Sequence, residues 1–491
     1  MVWSIYNAIE EPFFSVHPNQ QQNEKKCHDE HWDKALALSG EREMRYMKKK
    51  LVILGGGESG VGAALLGRKE GYDVLLFDES SLKDGYRNEL TNADVSFIEK
   101  EISDEQLLSA DEVVKSPGIP DKNEKVKKIK AKGIPVISEI ELAFRYKGDS
   151  KIIAITGSNG KSTTTSLIYH ICKHAELDAA LVGNIGYSFA RQVALEPKPL
   201  YVAEISSFQL DDIKEFKPDV AVLLNITEDH LDRYDYNFEN YIESKFRITI
   251  NQTSKDHFVY NMDDEVITDY LTRNHIKSNQ LPISMKKEVE KGAYIKNDEM
   301  KLQTGNEQLS MSVYDFALKG KHNQYNTMAA CVAGSTMDIR KNRIREAVQT
   351  FESLEHRMEH VATVRGIEFI NDSKATNVNS TWFALESMNK PTILILGGID
   401  KGNDYSLIKE LVKEKVTAIV CLGADNKKIH DAFGKDVKLV DTATAEEAVY
   451  ASFHLAKVGD VVLLSPACAS FDLFKNYEDR GNQFKKAVRD L

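Results

Sequence analysis

The feature that most restricts what this chain can fold into is a glycine turn set between an apolar run and a helical one. Ile152-Ile153-Ala154-Ile155 reads as a buried strand, and Thr156-Gly157-Ser158-Asn159-Gly160-Lys161-Ser162 follows it directly. Strand, glycine turn and helix in that order form a phosphate-binding loop, in which backbone N–H groups wrap phosphate oxygens. Lys161 is then placed to neutralise β/γ charge, and the Ser162 hydroxyl to reach Mg²⁺. The turn departs from the general pattern, because the position six before Lys161 is Ile155 rather than glycine.

A second glycine turn lies earlier. Leu51-Val52-Ile53-Leu54 ends in Gly55-x-Gly57-x-x-Gly60, a helical stretch follows, and Val74 to Asp78 reads as the next strand. This βαβ start matches a dinucleotide fingerprint, with Asp78 about 20 residues on as an NAD ribose would require. The same turn also fits a UDP diphosphate, so the residues alone leave NAD and UDP both open.

These turns open two α/β units, and a third follows. The first is expected over 47–146 and the second over 147–349, with strands at 200–205 and 219–225. The third covers 350–491, with strands at 367–371, 392–396, 417–422 and 461–465. Residues 1–46 show no sustained period and read as a poorly ordered extension, or as sequence ahead of a start at Met44 or Met47. A length of 491 residues agrees with several domains. The net charge of −11 argues against a nucleic-acid partner. No run reaches the roughly 20 apolar residues that span a bilayer. Five scattered cysteines without a CxxC pair, and an opening without a signal-peptide pattern, predict a cytoplasmic protein.

Glu204 and His230 each follow an apolar strand, so both are expected at the sheet edge that carries the phosphate loop. A carboxylate suits Mg²⁺, whereas histidine is a less usual partner for so hard an ion. From composition alone His230 reads as a structural histidine and Lys245 as a solvated helix lysine.

The ordered set TGSNGKSTTT (156–165), GNIG (183–186), EISSFQLD (204–211), NITEDHLDRY (225–234), ESKFR (243–247), HNQYN (322–326), EHRME (355–359), NDSKATN (371–377) and SPACASFDLFKNYEDRG (465–481) resembles the Mur ligases. The last two motifs resemble the members that add D-glutamate to UDP-N-acetylmuramoyl-L-alanine. The resemblance runs from Lys48 to the C-terminus. It implies a Rossmann-like N-terminal domain, a P-loop NTPase-like central domain and a Rossmann-like C-terminal domain. It also implies an ATP- and Mg²⁺-dependent carboxylate–amine ligase of peptidoglycan precursor synthesis, acting through an acyl phosphate.

The residue roles that follow are those the resemblance implies. Gly157, Ser158, Asn159, Gly160, Lys161, Ser162 and Thr163 serve ATP, with Asn323, Asn326, Arg357, Asp372 and Lys374. Lys161, His230, Lys245 and Arg357 are the catalytic set. Ser162, Glu204, His230 and a carbamylated Lys245 hold Mg²⁺. Glu58, Ser59, Asp78, Glu79, Ser80, Ser116, Asn184, Ser206 and Gln209 serve the UDP-sugar substrate. Thr376, Lys401, Ser470 and Tyr477 form the D-glutamate pocket, where Tyr477 replaces an expected phenylalanine. Asn184 and Ser206 can instead satisfy turn backbone, Asp372 can instead cap a helix, and Cys468 reads as a small buried residue. A monomer is expected.

Overall fold

The computed structural model describes residues 48–491, except 306–307, 353–354 and 401. The expected extension at 1–46 therefore lies outside the described residues.

Three sheets follow one another along the chain. The first has five parallel strands: Ser96–Glu99, Asp73–Asp78, Lys50–Leu54, Glu112–Lys115 and Val136–Ile137 in spatial order. Its strand order reverses beside Lys50–Leu54, so the glycine turn after that strand opens at the switch point, where ligands bind in such sheets. Within the turn, a Cβ on Gly60 would lie 1.8 Å from the Gly55 carbonyl oxygen. Only glycine lets the helix Glu58–Lys69 start this close to the strand.

The second sheet has nine strands. Its parallel centre places Lys151–Thr156 between Leu200–Glu204 and Val220–Leu223. Residues Ile152 to Ile155 have no solvent exposure because helices cover both faces. Each of the three isoleucines contributes about 1.5–3 kcal/mol on burial. The helix Lys161–His174 follows the phosphate loop and packs against Lys321–Ser335. The far edge ends in the strands Gly292–Lys296, Glu299–Gln303 and Gln308–Ser312, joined antiparallel.

The third sheet runs Glu359–Val364, Ile367–Asn371, Val461–Leu464, Thr392–Leu396, Val416–Leu422 and Lys438–Thr442. All pairs are parallel except the first. The two edge strands were not expected from the sequence. Both are only partly buried, so neither shows the continuous apolar run that marks the interior strands. Among the described residues, no helix is long and apolar enough to cross a membrane.

Candidate functional site

The phosphate loop is braced by side chains from the neighbouring strand end. Asn225 Oδ1 accepts from Asn159 N at 2.8 Å, and Asn225 Nδ2 donates to Asn159 O at 3.1 Å. Ser158 Oγ donates to Thr227 O at 2.9 Å. Gly160 stands at φ +81°, and a Cβ there would lie 2.4 Å from Asn326 Oδ1. The loop and the asparagine pair Asn323–Asn326 are thus fitted to each other; Asn326 Nδ2 donates to Asn323 Oδ1 at 3.0 Å.

A cavity of about 500 Å³ opens between the second and third sheets above this loop. Ser158, Asn159, Gly160, Lys161, Ser162 and Thr163 form its floor, with Asn323 and Asn326 beside them. Asn184, Glu204 and His230 reach it from the second sheet. Arg357, Asp372, Lys374 and Thr376 reach it from the third. Two contacts tie the halves together: Arg357 Nη2 donates to Ser162 Oγ at 2.7 Å, and Ser380 Oγ donates to Asn159 Oδ1 at 3.1 Å.

The charges here are held in unusual states. Lys161 Nζ donates to the carbonyls of Gly157 at 2.8 Å and Ser158 at 2.9 Å. Burial lowers its pKa, against the pull of Glu204 and Asp229. Lys245 is 2% exposed, donates to Gly157 O at 2.9 Å and lies 4.5 Å from the centre of the Tyr241 ring. Burial, helped by the Lys161 charge, lowers its pKa well below that of an ordinary lysine. Burial also brings Lys374 down to about 8, with Arg357 adding to the effect, and pushes Asp372 up to about 7.

Glu204 shows how a cation would be received. Its Oε1 accepts from Asn184 Nδ2 at 2.7 Å, whereas Oε2 is buried without any hydrogen-bond partner. A buried carboxylate oxygen left unpaired costs free energy unless something cationic meets it. Ser162, Glu204 and His230 on one cavity wall offer the oxygen-rich donor set that Mg²⁺ favours. His230 is held at φ +54°, and its ring packs edge-on to Phe208 at 5.2 Å.

Other expected residues stand elsewhere. Asp78 closes the first glycine turn, its Oδ2 accepting from Gly56 N at 2.6 Å and its Oδ1 from Ser80 N at 2.7 Å and Ser80 Oγ at 2.6 Å. Glu79 pairs with Lys125 at 2.8 Å, and Ser116 Oγ contacts Gly55 O at 3.4 Å. Glu58 pairs with Arg191 at 2.8 Å across the junction of the first two sheets, and Ser59, the next residue in that helix, is partly buried. Ser206 and Gln209 cap one helix reciprocally, with Gln209 Oε1 accepting from Ser206 N at 3.0 Å. Asp372 is not a helix cap: it accepts from Met358 N at 3.3 Å and Ser465 Oγ at 2.9 Å, while Asn377 caps the following helix.

Ser470 is buried outside the cavity wall. The Tyr477 ring lies beneath Lys374 Nζ, 3.7 Å from centroid to nitrogen. Lys401 lies outside the described residues. The sequence reading missed Asp229, Lys319, His322, Ser380 and Phe383, all on the cavity wall. Asp229 and His322 sat inside motifs already noted. Ser380, Phe383 and Ser387 recur at three and four residues, one face of a helix.

Models of three domains match the chain in order: the Mur ligase MurD-like N-terminal domain over 49–138, the Mur ligase middle domain over 155–334, and the Mur ligase glutamate ligase domain over 356–468. The chain belongs to the Mur ligase family. Among curated relatives, the UDP-N-acetylmuramoylalanine–D-glutamate ligase of Christiangramia forsetii is 52% identical over 446 residues, 91% of this chain and 100% of that protein. The protein of the same name from Bacteroides fragilis is 53% identical over 446 residues, 90% of this chain and 100% of its own length. Solved structures of other Mur ligases share the fold. The UDP-N-acetylmuramate-alanine ligase MurC of Thermotoga maritima gives a TM-score of 0.57 at 17% identity, covering 90% of this chain and 99% of that one. A pseudomurein peptide ligase type C from Methanothermus fervidus gives 0.58 at 18%, covering 90% and 100%. Mur ligases are ATP-dependent ligases.

Proposed function

We infer that this Mur ligase adds D-glutamate to UDP-N-acetylmuramoyl-L-alanine at the expense of ATP, a step of peptidoglycan precursor synthesis. The observation that carries the catalytic reading is the meeting at one cavity of a phosphate loop, a buried carboxylate with an unpaired oxygen, and Arg357 and Lys374 from the third sheet. The choice of amino acid follows the names of the relatives that match over their whole length.

A carboxylate is a poor electrophile at neutral pH, so ATP supplies a leaving group. One oxygen of the L-alanine carboxylate attacks the γ-phosphorus, the bond to the β-bridging oxygen breaks, and ADP departs with the electron pair. The amine of D-glutamate then attacks the carbonyl carbon of the acyl phosphate, phosphate leaves with its oxygen, and the amine gives up a proton. Lys161 and Arg357 offset the charge spread over the transferred group, which is where such sites gain most of their rate.

Ser162, Glu204, His230 and Lys245 would hold Mg²⁺, which when bound neutralises phosphate charge and orients its oxygens. Lys245 serves in this set once CO₂ has converted its amine to a carbamate. Burial favours the neutral amine that this addition needs.

The first unit, 47–146, would receive the UDP group at Glu58, Ser59, Ser116 and the turn closed by Asp78, Glu79 and Ser80. Asn184, Ser206 and Gln209 lead from there to the reacting carboxylate. Thr376, Lys401, Ser470 and Tyr477 of the third unit, 350–491, would take D-glutamate, with 147–349 between them carrying ATP. The protein is read as a cytoplasmic monomer. An isotope test addresses the acyl phosphate: with ¹⁸O in the substrate carboxylate, each phosphate released should carry one labelled oxygen. Unlabelled phosphate would exclude this route.

A further inference from the structure

We propose that Cys421, His430 and Asp441 form a binding site for a zinc-class divalent cation on the third unit, separate from the ATP cavity. Cys421 and Asp441 are register partners on the adjacent parallel strands Val416–Leu422 and Lys438–Thr442, so their side chains leave the sheet on the same face. His430 comes down on that face from the helix Lys427–Phe433, with Nε2 3.0 Å from both carboxylate oxygens of Asp441. The sulfur, a ring nitrogen and a carboxylate oxygen all lie within 4.8 Å of one another. Zinc takes such donors at 2.0–2.3 Å, so binding requires the exposed side chains of His430 and Asp441 to turn toward Cys421.

A surface depression of about 520 Å³ opens beside His430 and Asp441, walled by Gly423 to Lys427 and by Thr442 and Glu447, while Cys421 lies fully buried behind it. None of these residues lines the ATP cavity. Its wall is tightly formed at the strand end: a Cβ on Gly423 would lie 2.8 Å from Gly398 N and 2.9 Å from Asn426 Oδ1. Asn426 Nδ2 donates to Asp441 Oδ1 at 3.0 Å and so orients the carboxylate, a support that metal-ligating carboxylates commonly have. Lys428, the nearest cation in sequence to His430, is drawn off by Asp400 at 2.8 Å.

An ordinary surface ion pair accounts for His430 and Asp441, and the buried Cys421, which shares the core with Ile419, Ile429 and Phe433, adds a third donor beside them. The Cys421 sulfur comes from a different strand and is the ligand that separates a zinc-class ion from Mg²⁺. Binding exchanges the thiol proton for the metal and releases it to water. The metal takes His430 through Nε2 with the ring proton on Nδ1, and no electron is transferred. The ion would staple the exposed edge strand Lys438–Thr442 to its neighbour and to the covering helix.

Titration of the untagged, chelator-stripped full chain with Co²⁺ tests this directly. The expected result is a sulfur-to-cobalt charge-transfer band that saturates at one ion per chain and is displaced by Zn²⁺. It should vanish in Cys421→Ser and be lost or strongly weakened in His430→Gln. Cobalt in the oxygen-rich ATP site gives no such band, so the two sites are told apart. Absence of the band overturns the proposal, as does its persistence in Cys421→Ser, which would move the site to another cysteine. If Cys421→Ser does not fold, the exposed variants His430→Gln and Asp441→Asn decide, because an unchanged band in both is incompatible with this site.

Discussion

Glu139 offers a perturbation whose size follows from the structure. It stands at the junction of the first and second units, 1% exposed, with Oε1 accepting from Ser188 Oγ and Ala190 N, both at 2.6 Å. Its Oε2 is buried with no partner. Burial, reinforced by the charge of Glu58, raises its pKa from 4.5 to about 7 against the lowering by those hydrogen bonds. Because the folded pKa lies above the unfolded one, the folded chain keeps a proton that the unfolded chain has released. Stability is therefore full below pH 4.5 and falls as pH rises to about 7, by about 3 kcal/mol in all. Glu139→Gln removes the charge, keeps an acceptor for Ser188 and Ala190, and should gain most of that amount at about pH 8 and little at about pH 4.5. Urea unfolding of both proteins across this range measures the difference, provided each unfolds in one transition. A difference that is flat with pH, or that grows toward acid, would refute the reasoning.

Lys161→Ala should lower turnover by at least about 10²-fold with the fold intact, since the amine that meets the transferred phosphate is gone; near-normal turnover would remove the loop from the mechanism. Arg357→Ala cuts the bridge to Ser162 and should cost about 10³-fold in kcat, read by steady-state kinetics at saturating ATP. Lys245→Arg keeps a cation but takes up no CO₂, so turnover should collapse, and mass spectrometry under mild conditions should find the carbamate only on the wild type. Gly160→Ala forces a side chain into φ +81° against Asn326. It should destabilise the loop by about 1–2 kcal/mol and raise the KM for ATP.

Much of the catalytic half was legible because it is local. A glycine turn between a strand and a helix needs no tertiary knowledge, and Lys161 and Ser162 follow from it. Glu204 was placed at the sheet edge by the apolar strand before it. What the residues could not disclose was how side chains are used once folded. Asp78 reads as a ligand for a ribose or uridine, yet both its oxygens are engaged in closing its own turn. Ser206 and Gln209 satisfy each other at a helix start. The burial of Lys245 was not legible either, because its helix has charged neighbours and only the packing of Tyr241 and the phosphate loop removes it from water. Ser380 and Phe383 belong to the cavity through the meeting of two sheets, which no local pattern encodes.

The most direct measurement is phosphate release from ATP by the purified protein with Mg²⁺ and UDP-N-acetylmuramoyl-L-alanine, comparing D-glutamate, L-glutamate, L-lysine and no amino acid. Release that requires D-glutamate, with a product heavier by one glutamyl residue, is the predicted result. Release with L-lysine in place of D-glutamate, or none under any condition, would contradict the account.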